Sequence, residues 1–149
     1  MAELVKDFDF KDYLKVNTEG YDGDYCNVVV LAPGLYDTLC NLLGSDDLPQ
    51  SVRRDIYLTM GYLFYPDDIY PEEIHGARGF IDDIMLILVV MRKIVQKMGL
   101  DYLKEHSNEI DYPLPTLLND DFEKLTEENA DMFNELLTVT GMVNESYLG

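Results

Sequence analysis

YPDDIYPEEIHGARGFIDD, residues 65 to 83, is the stretch that decides the fold, and it joins two apolar segments of the chain. It contains two prolines, two glycines and six carboxylates. Proline fixes one backbone angle and cannot donate a backbone hydrogen bond, whereas glycine adopts angles that other residues avoid. The stretch therefore predicts a constrained loop, called the acidic loop below, that ends one helix and begins another.

The segments on both sides of the acidic loop have helical periodicity. The helix predicted over residues 50–65 has one apolar face and one charged face, and the charged face is expected to point to solvent. Its apolar residues are Val52, Ile56, Met60 and Leu63, and its outward residues are Arg53, Arg54 and Asp55. The helix predicted over about residues 80–98 is apolar on nearly every side through Met91. Such a helix needs neighbours on most faces, so we expect it to be central.

The rest of the chain predicts more helices and no sheet. NVVVL, residues 27–31, is strand-like but stands alone, so we expect either an extended lead-in or the first turn of a helix. We predict an all-α fold, a compact bundle of about five to six helices, in one domain. Its parts are a helical core over residues 28–98, an N-terminal arm over residues 1–24 and an acidic helical C-terminal extension over residues 101–149. In that extension, the Thr126 hydroxyl is predicted to cap the last helix.

The composition limits the classes of partner. The chain has 149 residues and is 47% apolar, which is enough for one core. Its net charge of -18 repels phosphate backbones and anionic lipids, so neither nucleic acid nor membrane binding is expected, and basic proteins or cations are favoured. Residues 101–149 hold twelve carboxylates and two lysines. The start of the chain lacks the pattern of a signal peptide, and Ile84 to Met91 is too short an apolar run to span a bilayer. We expect a cytoplasmic protein.

Motifs for catalysis are not found in the sequence. It contains no glycine-rich phosphate loop, no GxSxG and no HExxH. Cys26 and Cys40 are isolated, which gives no support to a zinc site or a disulfide framework. His106 has no nucleophile spaced to work with it. The sequence therefore nominates no catalytic residue, and an enzyme is the less favoured interpretation.

A family resemblance is carried by MGYLFYPDDIYPEE, residues 60–73, followed by Gly76, Gly79-Phe80 and Asp82-Asp83. This order of residues resembles the signature of the YkvA-like family, a domain of unknown function catalogued as DUF1232. In that family an apolar helix ends in an aromatic, proline and aspartate motif, and a Gly-x-x-Gly-Phe-x-Asp-Asp motif begins the next helix. The resemblance covers about residues 28–98 and implies a helical domain with no established reaction.

The acidic loop has a structural interpretation. Prolines at its corners would stiffen the link, and glycines would permit sharp turns. Carboxylates at the start of the next helix would bind its unpaired backbone amides and interact favourably with its dipole. The residues given this structural role are Pro66, Asp68, Pro71, Gly76, Gly79, Asp82 and Asp83.

The same loop has an alternative interpretation as a divalent-cation site, because hard cations bind several carboxylate oxygens that a loop brings together. His75 is its one imidazole and could complete a transition-metal site. The candidate ligands are Asp67, Asp68, Glu72, Glu73, His75, Asp82 and Asp83.

Three functional hypotheses follow. The first is a non-enzymatic helical regulatory or adaptor protein, without a cofactor, that binds a basic protein partner or self-associates. The second is a divalent-cation-binding or metal-dependent protein that uses residues 67–83. The third is an acidic inhibitor that mimics nucleic acid, which requires carboxylates arrayed along one face. All three start from the excess of carboxylates, and they differ in what the carboxylates bind.

Overall fold

A computed structural model of the protein describes residues 10–63 and 80–143. The helices in these ranges are α1 (Phe10–Thr18), α2 (Cys26–Val29), α3 (Ala32–Leu43), α4 (Gln50–Leu63), α5 (Ile81–Met98), α6 (Leu100–Glu105), α7 (Leu114–Thr116), a π-helical turn (Leu117–Asp121), α8 (Phe122–Glu128) and α9 (Ala130–Thr140). These two ranges contain no strand, and the predicted all-α fold is confirmed.

The core of the bundle is α5. Every residue from Ile81 to Met91 is buried, and Ile94 and Val95 extend the buried surface by another turn. Helices α3, α4, α6, α8 and α9 all pack against it. Since one fully buried aliphatic side chain stabilises the fold by about 1.5–3 kcal/mol, this helix supplies much of the driving force for folding. The prediction of a central apolar helix over about residues 80–98 is confirmed.

Two glycines end helices in the structure. Gly99 follows α5 with a φ of 94°, and Gly141 follows α9 with a φ of 74°. Residues other than glycine rarely adopt these backbone angles, so glycine lets the chain leave each helix without strain. After Gly99 the chain turns directly into α6. Within the described residues, no helix has both the length and the apolar character needed to cross a membrane.

Local signals were overridden at two places. The strand-like NVVVL segment overlaps the short helix α2, which leads into α3. The prediction that Thr126 caps the last helix is wrong, because Thr126 lies inside α8 and its hydroxyl donates to the carbonyl oxygen of Phe122 at 2.9 Å. Burial of Phe122 and Leu125 against the core holds that turn helical, and the helix breaks at Asn129 instead.

The prediction that Asp55 faces solvent is also wrong. Asp55 on α4 is only 3% exposed, and its Oδ2 accepts a hydrogen bond from Nζ of Lys93 on α5, which is only 7% exposed. Arg53 is half-buried and donates to the carbonyl oxygens of Leu43 and Ser45 at 3.0 Å and 2.6 Å. A buried carboxylate is tolerated when a cation compensates its charge. The ion pair therefore joins α4 to α5 inside the core.

We expect each single substitution of the Asp55–Lys93 pair to lower the free energy of unfolding by about 3–5 kcal/mol, because the other charge stays buried without its partner. The variants are Asp55→Asn and Lys93→Met. The double variant Asp55→Leu/Lys93→Met should recover most of the loss, since two apolar groups replace two charges. Urea unfolding curves measure all three.

Lys97→Met is the matched control, because it removes an exposed lysine from the same helix and should change stability by less than about 0.5 kcal/mol. A double variant as unstable as the sum of the two singles would contradict the account of this pair.

Candidate functional site

The described part of the acidic-loop region is the start of α5, where two carboxylates are buried. Asp82 is fully buried, and its Oδ2 accepts a 2.6 Å hydrogen bond from the hydroxyl of Tyr62 on α4. Its Oδ1 accepts the backbone N–H of Asp83 at 2.9 Å. Asp82 thus connects the last turn of α4 to the first turn of α5. Tyr62, the donor in this connection, is not among the candidate residues that the sequence indicates.

The other residues proposed for the acidic loop lie outside the described residues. They are Pro66, Asp67, Asp68, Pro71, Glu72, Glu73, His75, Gly76 and Gly79. Over residues 10–63 and 80–143, no group of three or more His, Cys, Asp or Glu side chains is arranged to hold a metal ion. Asp82 and Asp83 are the two candidate residues that the structure places, and it places both in the buried first turn of α5.

A second candidate site is the surface formed by α8, α9 and the π-helical turn. We call it the acidic ridge and define it by Asp120, Glu123, Glu127, Asp131 and Glu135, which are all exposed. Glu123 and Glu127 are one turn apart on α8, and Asp131 and Glu135 are one turn apart on α9. The same helices bury Phe122, Leu125, Phe133 and Leu136. The carboxylates therefore face solvent because the apolar side of each helix is fixed on the core.

One anchor of the acidic ridge comes from the N-terminal part of the chain. The hydroxyl of Tyr25 donates to Oε1 of Glu128 at 2.6 Å, and Nδ2 of Asn129 donates to the same hydroxyl at 3.2 Å. Tyr25 has a φ of 59°, a left-handed conformation that costs on the order of 1–3 kcal/mol for a residue with a side chain. Contacts across 103 residues thus hold the junction of α8 and α9 beside the start of α2.

A second anchor lies at the other end of α8. The hydroxyl of Tyr112 donates to Oδ2 of Asp121 at 2.7 Å and accepts from Nδ2 of Asn27 at 3.1 Å. The hydrogen bond to Asp121, together with burial, raises the pKa of Tyr112. Because both ends of α8 are tied down, this part of the acidic ridge is preorganised, and binding a partner there requires little ordering of its backbone.

The electrostatics of this region are one-sided. From residue 101 to 143 the structure exposes ten carboxylates and two lysines, Lys104 and Lys124. The ammonium of Lys124 lies 5.7 Å from the centre of the Tyr25 ring, beside the anchor. An excess of charge of one sign on a surface attracts groups of opposite sign and accelerates their association.

A polar cluster joins the α3–α4 connection to α6 through Ser45, Asp47, Tyr102 and His106. The Tyr102 hydroxyl donates to Oδ1 of Asp47 at 2.9 Å and lies 2.8 Å from Oγ of Ser45. Hydrogen bonds from Ser45 and Tyr102 hold the pKa of Asp47 below its usual range. Nδ1 of His106 lies 2.8 Å from the carbonyl oxygen of Tyr102, and only an N–H can donate there. The imidazole is therefore hydrogen-bonded to the backbone and not to the Ser45 hydroxyl. This arrangement is typical of a structural hydrogen-bond network.

Comparison with known proteins gives one informative similarity. The chain is 32% identical over 108 residues to the uncharacterized protein ORF9 of Methanothermobacter thermautotrophicus, and the aligned part covers 72% of this chain and 73% of that protein. No family model matches the chain, and no solved structure matches it. The resemblance to DUF1232 stays a prediction.

We expect Asp82→Ala to lower the melting temperature by roughly 5–10 °C, because the Tyr62 hydroxyl and the Asp83 amide lose a buried acceptor. If Asp82 is a structural residue, the loss should be the same in EDTA and in Mg²⁺, Ca²⁺, Mn²⁺ or Zn²⁺. Thermal melting of wild type and variant in each buffer measures it.

Asp101→Ala is the control. It removes an exposed carboxylate from the first turn of α6 and should shift the melting temperature little. A cation that stabilises wild type by several degrees and leaves Asp82→Ala unchanged would show instead that Asp82 belongs to a metal site.

Proposed function

We propose that this chain, which belongs to the same family as the uncharacterized protein ORF9, is a non-enzymatic helical regulatory or adaptor protein that binds a basic protein partner. The observation that carries the proposal is the acidic ridge, a set of five exposed carboxylates on α8, which is anchored at both ends, and on the adjoining π-helical turn and α9. For the helical core over residues 28–98, we further propose membership of the YkvA-like family, whose signature the sequence of this core resembles.

The dimensions of the acidic ridge suit a protein partner. Residues 120 to 135 follow helical segments with a break at Asn129, and at 1.5 Å per residue their contour length is about 20 Å. That length is comparable with one side of a standard protein–protein interface of about 800 Å² per partner. Charges of one sign on such a surface select partners of opposite sign and increase the association rate. The repulsion between two such surfaces disfavours self-association through the ridge itself.

The geometry of the acidic ridge also supports a more specific proposal about the class of the partner. Glu123 and Glu127 lie one turn apart on α8, and Asp131 and Glu135 lie one turn apart on α9, beyond the break at Asn129. A mimic of nucleic acid requires carboxylates in rows of this kind. In that form the partner is a nucleic-acid-binding protein, and the acidic ridge occupies its phosphate-binding surface. Competition between this chain and DNA for a basic DNA-binding protein separates an inhibitor from a general adaptor.

The second candidate function is divalent-cation binding by residues 67–83. The observation in its favour is that Asp82 and Asp83 lie in the first turn of α5, directly after a segment whose sequence contains four further carboxylates and His75. Against it, both oxygens of Asp82 already accept hydrogen bonds from Tyr62 and from the backbone. The melting series with and without cations decides between the two functions of this carboxylate.

We expect Glu123→Gln/Glu127→Gln/Glu135→Gln to weaken binding of a basic probe protein, hen lysozyme, by about tenfold. Each exposed charge pair contributes about 0.2–1 kcal/mol, and 1.4 kcal/mol corresponds to a factor of ten in Kd. Fluorescence anisotropy of labelled lysozyme at low ionic strength gives the Kd for wild type and variant.

The matched control is Asp22→Asn/Asp46→Asn/Asp101→Asn, which also removes three exposed negative charges but none from the acidic ridge. Its Kd should stay within about threefold of wild type, since only long-range attraction is reduced. Equal weakening by the two triple variants would mean that net charge alone binds lysozyme, and the proposed site would be wrong.

A further inference from the structure

A groove of about 810 Å³ lies between α1, the start of α3 and residues 109–111. Part of its lining is apolar and comes from Val30, Leu31 and Pro33. Val30 is 41% exposed, which is a large fraction for an aliphatic side chain beside a charged surface. An open apolar surface in such a groove favours a ligand that brings an apolar portion of its own.

The walls of this groove are fixed without a ligand. Nζ of Lys11 on α1 pairs with Oδ1 of Asp37 on α3 at 3.3 Å and with Oε2 of Glu109, so one lysine ties three parts of the chain together. The hydrogen bond to Glu109 is the main cause that raises the pKa of Lys11. A Cβ added to Gly34 would lie 2.9 Å from the carbonyl oxygen of Glu109, so this backbone is seated tightly on α3. A groove with fixed walls binds without a large ordering cost.

The charged part of the lining favours a cation. Glu19 and Asp111 are exposed carboxylates, and the positive charge of Lys11 is already compensated by Asp37 and Glu109. Lys15 is exposed and contributes one positive charge against these two negative ones. The ligand that fits apolar side chains and carboxylates together has an aliphatic stem and a cationic head. Lysine and arginine side chains have this form.

We infer that this groove receives a lysine or arginine side chain of the basic partner. The aliphatic stem packs against Val30, Leu31 and Pro33, and the cationic head binds among Glu19 and Asp111. The inference rests on the proposed function, because it gives the partner a specific anchor in addition to the attraction of the acidic ridge. The groove and the acidic ridge are connected through the chain. Asp111 in the groove precedes Tyr112, whose hydroxyl donates a hydrogen bond to Asp121, beside the ridge residue Asp120.

The test is a titration of the ¹⁵N-labelled full chain with N-acetyl-arginine-N-methylamide, a probe with one cationic side chain and no net charge elsewhere. The amide signals of Val30, Leu31 and Asp111 should move, and the fitted Kd should weaken at least about threefold in Glu19→Gln/Asp111→Asn. Glu123→Gln/Glu127→Gln removes the same charge from the ridge and should leave this Kd unchanged. Lys15→Ala should strengthen binding, because it removes the opposing positive charge from the groove.

The outcomes separate the groove from the ridge. Signal changes confined to residues 120–135, a Kd unaffected by Glu19→Gln/Asp111→Asn, or weaker binding in Lys15→Ala would each overturn the groove inference and leave the lysozyme result untouched. A ridge variant that binds lysozyme as wild type does would overturn the proposed function, even if arginine binds in the groove. All the substituted residues are exposed, and circular dichroism confirms that each variant is folded.

Discussion

Burial of α5 from Ile81 to Met91 is the constraint on which the rest of the structure depends. The polar side chains within and next to this buried stretch are shielded from water, so each needs a partner in the fold. Asp82 accepts from Tyr62, and Lys93 pairs with Asp55. Both partners lie on α4, so two separate interactions join α4 to α5. The helices that flank the acidic loop are therefore held together by charge as well as by apolar packing.

The charges that the core does not need are displayed on the surface. Helices α8 and α9 bury their aromatic and leucine side chains on the bundle and direct the ridge carboxylates outward. The phenols of Tyr25 and Tyr112 then attach both ends of α8 to the N-terminal part of the chain. The proposed recognition of a basic protein rests on this fixed negative surface, because charge of one sign selects partners of the opposite sign.

Signals that are continuous along the chain were sufficient to predict the architecture. The unbroken apolar run of α5 identifies the central helix, and Gly99 and Gly141 mark its end and that of α9. Pairings between distant residues were not predictable in this way. Periodicity assigned Asp55 to solvent because its partner Lys93 is 38 residues away. The Thr126 hydroxyl gave a local capping signal that burial of Phe122 and Leu125 overrode.

The central claim is that this chain recognises its partner by charge, and the salt dependence of binding tests it most directly. We would measure the Kd for lysozyme from about 0.05 M to about 0.3 M salt, a range over which the screening length falls from about 14 Å to about 6 Å. The account predicts a steep, continuous loss of affinity, with a shallower loss in the ridge variant. An affinity that stays constant over this range, or a ridge variant with the wild-type salt dependence, would contradict it.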